Sequence, residues 1–368
     1  MPINKISTTL SSKKGFTTKQ IEQSLTHDIA PDGKPAKVVT LKNNNGMSIT
    51  IMDLGATWVS CQLQVDGSTR EVLLGMMKLD EYINHSAYLG ATIGRFANRI
   101  NKGKFMLNNK VYQTSINNDG NTLHGGKEGF NTRRWTIAER SDNHTVFRLT
   151  SPDGDQGFPG NISIEVAYTL TECNQVCIEY SALCDQDCPI NLTNHAYFNL
   201  DGSESGHLIL NHKLQLQSEF YATTDKSLIP TGILNPVKNT SFDFTRLKTI
   251  GSHLLQGKDQ QLANGYDHAF TFSPELCDGA TPVATLISGD NKVTMTVLTE
   301  KPAIQLYTGN YLAQTPSRVN IYKNYQGVAL ETQFLPDAPN QCAWPKENKP
   351  FIAKKSFYQY QTSYQFYF

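Results

Sequence analysis

The sequence predicts an all-β protein, a sandwich or a barrel, with few short helices. Three observations carry this expectation. From Ala36 onward, short apolar or β-branched runs alternate with Asn, Asp, Gly and Pro punctuation. At the C-terminal end, Tyr358, Tyr360, Thr362, Tyr364 and Phe366 fall on one face and Gln359, Gln361, Ser363 and Gln365 on the other. That is the period of two that belongs to a strand. A clear amphipathic helix of three or more turns is hard to find along the chain.

Taken in order, residues 1–33 read as a partly flexible N-terminal extension that ends in the turn-rich Ala30-Pro31-Asp32-Gly33, with a short helix around Thr18 to Leu25. Lys37 to Leu41 and Met47 to Met52 flank the turn residues Asn43 to Gly46 and read as strands. Phe105 to Leu107, the turn Asn108-Asn109 and Lys110 to Tyr112 form a hairpin pattern. Ser163 to Leu170 with Val176 to Ala182 is a second hairpin, and Val283 to Ile287 with Val293 to Leu298 a third. Short helices are expected at Lys78 to Asn84 and Ile250 to Leu255. No Pro/Gly/Ser linker divides the β region, so residues 34–368 read as a single domain.

Composition narrows the function. Lys plus Arg is 33 and Asp plus Glu is 33, a formal net charge of zero. That argues against nucleic-acid binding, which calls for a basic face. Hydrophobic residues at 39% are enough for a sizeable core. Aromatics at 10% suit pleated surfaces and sugar-stacking sites. No stretch approaches the roughly 18 apolar residues of a membrane helix, and Met1 to Lys19 lacks the apolar core of a secretory signal. Seven cysteines without such a signal read as reduced thiols in a cytoplasmic protein. Four Asn-x-Ser/Thr sequons, at Asn143, Asn161, Asn191 and Asn239, are then inert.

Candidate chemistry is weighed against blander readings. The spacing Cys173-x-x-x-Cys177 and Cys184-x-x-x-Cys188 is permitted for zinc. An extended Val176 to Ala182 would hold Cys177 and Cys184 roughly 20 Å apart, which breaks a single tetrahedral site, so no metal is expected. Gly90-Ala91-Thr92-Ile93-Gly94 lacks a dinucleotide context and reads as a close backbone approach. No Walker motif and no Gly-x-Ser-x-Gly elbow occurs. Polar residues concentrate instead in Gly94 to Ile100, Asn121 to Gly126, Asn191 to Leu200, Gly265 to His268, Gln305 to Asn310 and Leu330 to Gln333. Glu331 follows the apolar run Gly327 to Leu330, where a carboxylate is costly to bury without a partner. A desolvated carboxylate near a histidine suits proton transfer.

At these segments the chain resembles the aldose 1-epimerase (galactose mutarotase) family, over residues 36 to 366. Five motifs stand in the family's order: Asn98-Arg99; Asn121 to Gly126 with Gly129, Phe130 and Trp135; Asn191 to Leu200; Tyr266-Asp267-His268; and Glu331-Thr332-Gln333. Phe334-Leu335 departs from the pattern, since members often carry a histidine before Pro336-Asp337. Residues 1–33 have no evident counterpart.

The resemblance implies a large antiparallel β-sandwich, the galactose mutarotase-like supersandwich, with an open sugar cleft and no metal or cofactor. It implies interconversion of the α and β anomers of a free aldose such as galactose or glucose. By carry-over, Glu331 is the general base and His195, expected near its ordinary pKa of about 6.5, the general acid. His124 assists at the ring oxygen. Asn98, Arg99, His124, His195, Tyr197, Asp267 and Gln305 form the substrate-binding set. Trp135 is read either as a stacking face or as core, and Arg95 either as a site residue or as a structural salt-bridge partner. The expected partner is a small aldose, with no nucleic acid or membrane, and the assembly a monomer or homodimer. A hexose-6-phosphate epimerase of the same fold, a glycosidase or lyase using Asp267 and Glu331, and a non-catalytic carbohydrate-binding protein stand as rivals.

Overall fold

The computed structural model describes residues 16–345 and 350–368. Two large antiparallel sheets make the body. The nine-stranded sheet has Phe357–Tyr367 at its centre, between Gln175–Cys184 and Thr294–Thr299. The six-stranded sheet runs in the order Tyr197–Phe198, Val328–Gln333, Ala303–Tyr307, Asp267–Thr271, Phe220–Thr224, Pro230–Pro236. A four-stranded sheet, Val38–Lys42 through Ser68–Glu71, contributes Val39, Leu41, Ile49, Ile51 and Trp58 to the same apolar core.

The sequence periodicity explains how the sheets meet. In the central strand Tyr358, Tyr364 and Phe366 are buried, as the alternation requires. Tyr364 lies 5.2 Å from Phe198 and donates its hydroxyl to Leu330 O at 3.2 Å, which joins the nine-stranded sheet to the inner face of the six-stranded one. Leu306 opposite Leu330 and Phe270 opposite Ile304 fill that inner face. Gln305, Tyr307, Glu331 and Asp267 alternate with them and so share the opposite face. The polar residues are thus displayed on the side of the sheet turned away from the central strand.

The three expected hairpins form, as Lys104–Leu107 with Lys110–Gln113, Ile162–Leu170 with Gln175–Cys184, and Pro282–Ile287 with Thr294–Thr299. In the first, Asn108 and Asn109 have φ of 51° and 59°, the left-handed pair a two-residue turn demands. Helices form at Thr18–His27 and Leu79–Asn84, whereas Ile250–His253 is a short 3-10 turn. Thr17 and Gln20 make a reciprocal cap on the first helix. Its Ile21 and Leu25 are buried in a small cluster with Met52, Val59 and Leu79. Residues 1–15 of the expected extension lie outside the described residues.

Candidate active site

Seven segments converge on a cavity of about 250 Å³, near the lower end of ligand pockets. Larger grooves lie elsewhere, two of them, of about 1000 and 770 Å³, beside Glu219 and Phe220, and neither of these is lined by a predicted site residue. The outer face of the six-stranded sheet supplies Tyr197, Asp267, Tyr307 and Glu331. Irregular segments supply the rest, because short polar connections carry site residues that regular strands cannot aim.

His195 follows the two-residue strand Thr193–Asn194, which pairs with Thr92–Ile93. Its backbone N–H donates to Ala91 O and its carbonyl accepts from Gly90 N–H, both at 2.9 Å. Gly90 is needed there: a Cβ would sit 2.0 Å from Trp58 O, and φ is +70°. This is the close backbone approach the glycine spacing predicts. Asn194 Nδ2 donates to Gly90 O and to Tyr168 Oη, locking the pairing from behind.

His195 Nε2 and Glu331 Oε1 stand 3.5 Å apart, with both residues under 5% exposed. Burial dominates both titrations. It pushes His195 down to about 4, below the ordinary value expected from sequence. It raises Glu331 well above the usual carboxylate range, helped by Asp267 and opposed by Arg99. Each group therefore leans toward its neutral form, and the pair holds one proton between two acceptors.

His124 stands beside them, its ring 5.2 Å from that of His195. The backbone N–H of Asn98 donates to its Nδ1 at 3.2 Å, and the His124 N–H donates to Asn98 O at 3.1 Å. Burial, His195 and Arg99 hold the His124 ring far below its ordinary pKa. A neutral imidazole that accepts at Nδ1 carries its proton on Nε2, so His124 is a hydrogen-bond donor. His124, His195 and Glu331 place their ligand atoms within 4.8 Å of one another. The tautomer opposes metal binding, because a ligating histidine needs a free lone pair and normally donates from its other nitrogen.

Arg99 Nη1 lies 3.7 Å from Asp267 Oδ2 and its Nε donates to Asn118 Oδ1 at 3.3 Å. Asn98 lines the cavity and accepts the Arg99 N–H at its own Oδ1. Gln305 does not line the cavity; its Nε2 donates to Asp267 Oδ1 at 2.6 Å from the adjoining strand. The structure thus brings seven of the predicted residues to the cavity wall and places Gln305 one step back.

Several further wall residues carried no assignment from sequence, Tyr88, Tyr307 and Asn118 among them. Tyr88 packs on His124 and His195 at 4.6 and 5.8 Å between ring centres. Tyr307 lies 6.5 Å from His195, and Asn118 holds Arg99. Tyr307 shares its strand face with Gln305, a period-two signal that could have found it. Tyr88 and Asn118 reach the site through loops, which leave no such signal. Tyr88, Asn98 and His124 all have φ between 51° and 64°, and such conformations cost non-glycine residues free energy that functional sites tolerate.

Two readings left open by the sequence close here, and one part of the second is corrected. Trp135 is 1% exposed, donates to Phe130 O and belongs to the core, so it offers no stacking face. Arg95 is structural, but among the described residues it has no salt bridge: its buried guanidinium donates to the carbonyls of Pro159 and Gly160 and to Ser151 Oγ. The extended strand Gln175–Cys184 does keep Cys177 near one end and Cys184 at the other.

Residues 37–365 match the family described as Aldose 1-epimerase. An aldose 1-epimerase of Haemophilus influenzae is 47% identical over 338 residues, covering 92% of this chain and 97% of that protein. The galactose mutarotase of Homo sapiens is 37% identical over 306 residues, covering 81% and 86%. Among solved structures, an aldose epimerase homologue from C. elegans superposes with a TM-score of 0.81 at 28% identity, covering 90% of this chain and 99% of that one. A galactose 1-epimerase from Lactobacillus acidophilus gives 0.79 at 28% identity, covering 92% and 96%.

Proposed function

Because the chain belongs to the aldose 1-epimerase family, an epimerase by class, we propose that it interconverts the anomers of a free hexose such as galactose or glucose, with Glu331 and His195 as the acid–base pair. The observation that carries the reading is the buried 3.5 Å approach of His195 Nε2 to Glu331 Oε1 on the cavity wall.

The chemistry follows from that geometry. When the shared proton rests on His195, Glu331 is a carboxylate and His195 an acid. Glu331 takes the proton of the anomeric hydroxyl, O1 forms the aldehyde carbonyl, and the C1–O5 bond breaks. The electron pair goes to O5, which takes the proton from His195. Rotation about C1–C2 and closure on the other face reverse both transfers, so no proton is lost and no cofactor is required. His124 donates from Nε2 to the oxygen on which charge develops, as a preorganised neutral donor. Asp267, aimed by Arg99 and Gln305, accepts from sugar hydroxyls, and Asn98 and Tyr197 complete the orienting set.

A sugar phosphate fits less well. Among the described residues Arg99 is the one Lys or Arg on the cavity wall, and it already faces Asp267, whereas a phosphate calls for a basic cluster. A cavity of about 250 Å³ suits a monosaccharide better than a polymer. A non-catalytic binder has no use for a desolvated histidine–carboxylate pair. Every named group comes from one chain, so a monomer suffices and a homodimer is compatible. A reducing cytoplasmic setting suits the buried thiols Cys61, Cys184 and Cys188.

The test is polarimetry on freshly dissolved α-D-galactose and α-D-glucose. Faster approach to the unchanged final rotation is expected, and the faster sugar names the preference. Rates equal to the spontaneous ones for both sugars would overturn the reading.

A further inference from the structure

We propose that Asn191 is a positioning residue, whose buried side-chain amide sets the His195–Glu331 distance by tying the three segments that carry the site to one another. The inference rests on the acid–base reading above and goes beyond it, since Asn191 is not on the cavity wall.

Asn191 is completely buried. Its Nδ2 donates to Ala97 O at 3.3 Å and to Phe334 O at 3.1 Å, and its Oδ1 accepts the Phe334 N–H at 3.0 Å. Its backbone extends the tie, accepting from Ala97 N–H at 2.8 Å and donating to Arg95 O at 3.0 Å. Ala97 immediately precedes Asn98. Phe334 follows the strand that ends at Gln333 and carries Glu331. Asn191 itself lies four residues before His195. One amide thus spans the Asn98–Arg99 segment, the His195 segment and the Glu331 strand.

The neighbouring residue reinforces the clamp. Leu192 N–H donates to Tyr358 Oη at 3.2 Å. The Leu192 carbonyl accepts from the buried ammonium of Lys301, which lies 4.4 Å from the centre of the Tyr180 ring. The His195 segment is therefore held from below while Asn191 fixes it sideways. Asp337 N–H donates to Arg99 O at 2.8 Å and adds a second tie, but only between two of the three segments. A full set of amide bonds in a dry interior is rigid, and losing it leaves carbonyls unpaired. A displacement of about 1 Å at reacting groups costs roughly 10²-fold in rate.

The same residue carries a sequon, Asn191-Leu192-Thr193. Complete burial and full use of the amide make it unavailable as a glycan acceptor.

The experiment compares Asn191→Ala with Asn199→Ala in the full chain. Asn199 is an equally buried amide of the same block; its Nδ2 bonds His207 O and Gln326 O, and it does not line the cavity. For Asn191→Ala the expected result is a fall in kcat of roughly 10²-fold, KM within about threefold, and a displaced pH–rate profile. Asn199→Ala is expected to lower Tm comparably while keeping the wild-type kcat and profile. Equal kinetic behaviour of the two variants, with only Tm lowered, would overturn the proposal. Should Asn191→Ala fail to fold, Asn191→Asp serves: protonation restores one donor, so its kcat relative to wild type rises as pH falls, and a constant ratio counts against the role. Wild-type and Glu331→Gln are assayed alongside. A wild type that does not accelerate mutarotation, or an undiminished Glu331→Gln, sinks the acid–base reading; normal values there with a normal Asn191→Ala sink this inference alone.

Discussion

The main-chain N–H of Asn98 points at Nδ1 of His124 across 3.2 Å, and the His124 N–H returns to the Asn98 carbonyl. A histidine bonded in this way is a donor at Nε2. Nitrogen-15 NMR is therefore expected to show His124 as the Nε2–H tautomer, neutral from pH 8 down to well below 6.5, since burial, His195 and Arg99 all disfavour its charge. An Nδ1–H tautomer would contradict this arrangement. His124→Phe, which removes the donor, is expected to cost about 10²–10³ in kcat, in line with loss of one preorganised donor.

Glu331→Gln and His195→Asn each remove one end of the proton-carrying pair. Each is expected to lower kcat by about 10²–10⁴, with sugar affinity by calorimetry within a few-fold of wild type. Loss of binding with kcat preserved would assign these residues to recognition instead.

The pH–rate profile is expected to be bell-shaped. Activity requires one proton on the His195–Glu331 pair. Adding a second abolishes the base, and this acid limb lies below 6.5 because burial holds His195 to about 4. Removing the shared proton abolishes the acid, and that limb lies above the ordinary carboxylate range because Glu331 is raised. Both limits belong to the pair. An acid limb at or above 6.5 would contradict the burial argument.

Stability is expected to fall as pH is lowered from about 6.5 toward 4. His195, His212 and His268 are each held to about 4 by burial, and His124 is lowered as well. In that window the unfolded chain binds more protons than the folded one, so acid favours unfolding, by up to about 3 kcal/mol per fully buried histidine. The raised Glu331, Glu204 and Asp337 work in the opposite sense, but the four lowered histidines outnumber them. Lys301, lowered to about 7, adds a gain in stability as pH rises from 7 toward 10. Urea midpoints between pH 4 and 9 check both slopes.

Leu25→Ala tests whether the N-terminal helix is integral to the fold. Leu25 is fully buried against Leu79 and its neighbours. A loss of about 2–3 kcal/mol is expected, with kcat unchanged. A midpoint within error of wild type would show the helix to be dispensable.

Much of this was legible along the chain. Strict alternation in Tyr358 to Phe366 specified a strand with one buried face, and Asn108-Asn109 specified a tight hairpin turn. The five motif blocks pointed to His124, His195, Asp267 and Glu331, all of which line one cavity. Yet within the block Asn191 to Leu200, only His195 and Tyr197 reach that cavity. Asn191, Asn194 and Asn199 spend their amides on backbone carbonyls of distant segments, a role no local pattern announces. Trp135 and Arg95 stayed open along the chain for the same reason, since residue type does not say which side of a wall a side chain faces.

What the sequence determined by itself is the all-β class, the hairpins, the alternating faces of the last strand, and the chemical types available for proton transfer, because each depends on spacings of a few residues. What tertiary structure alone decided is the 3.5 Å meeting of His195 with Glu331, the tautomer of His124 and the proton inventory of the pair. These depend on distances between segments far apart in the chain. They depend too on burial, which moves a histidine from its ordinary pKa to about 4 without changing a single neighbour in sequence.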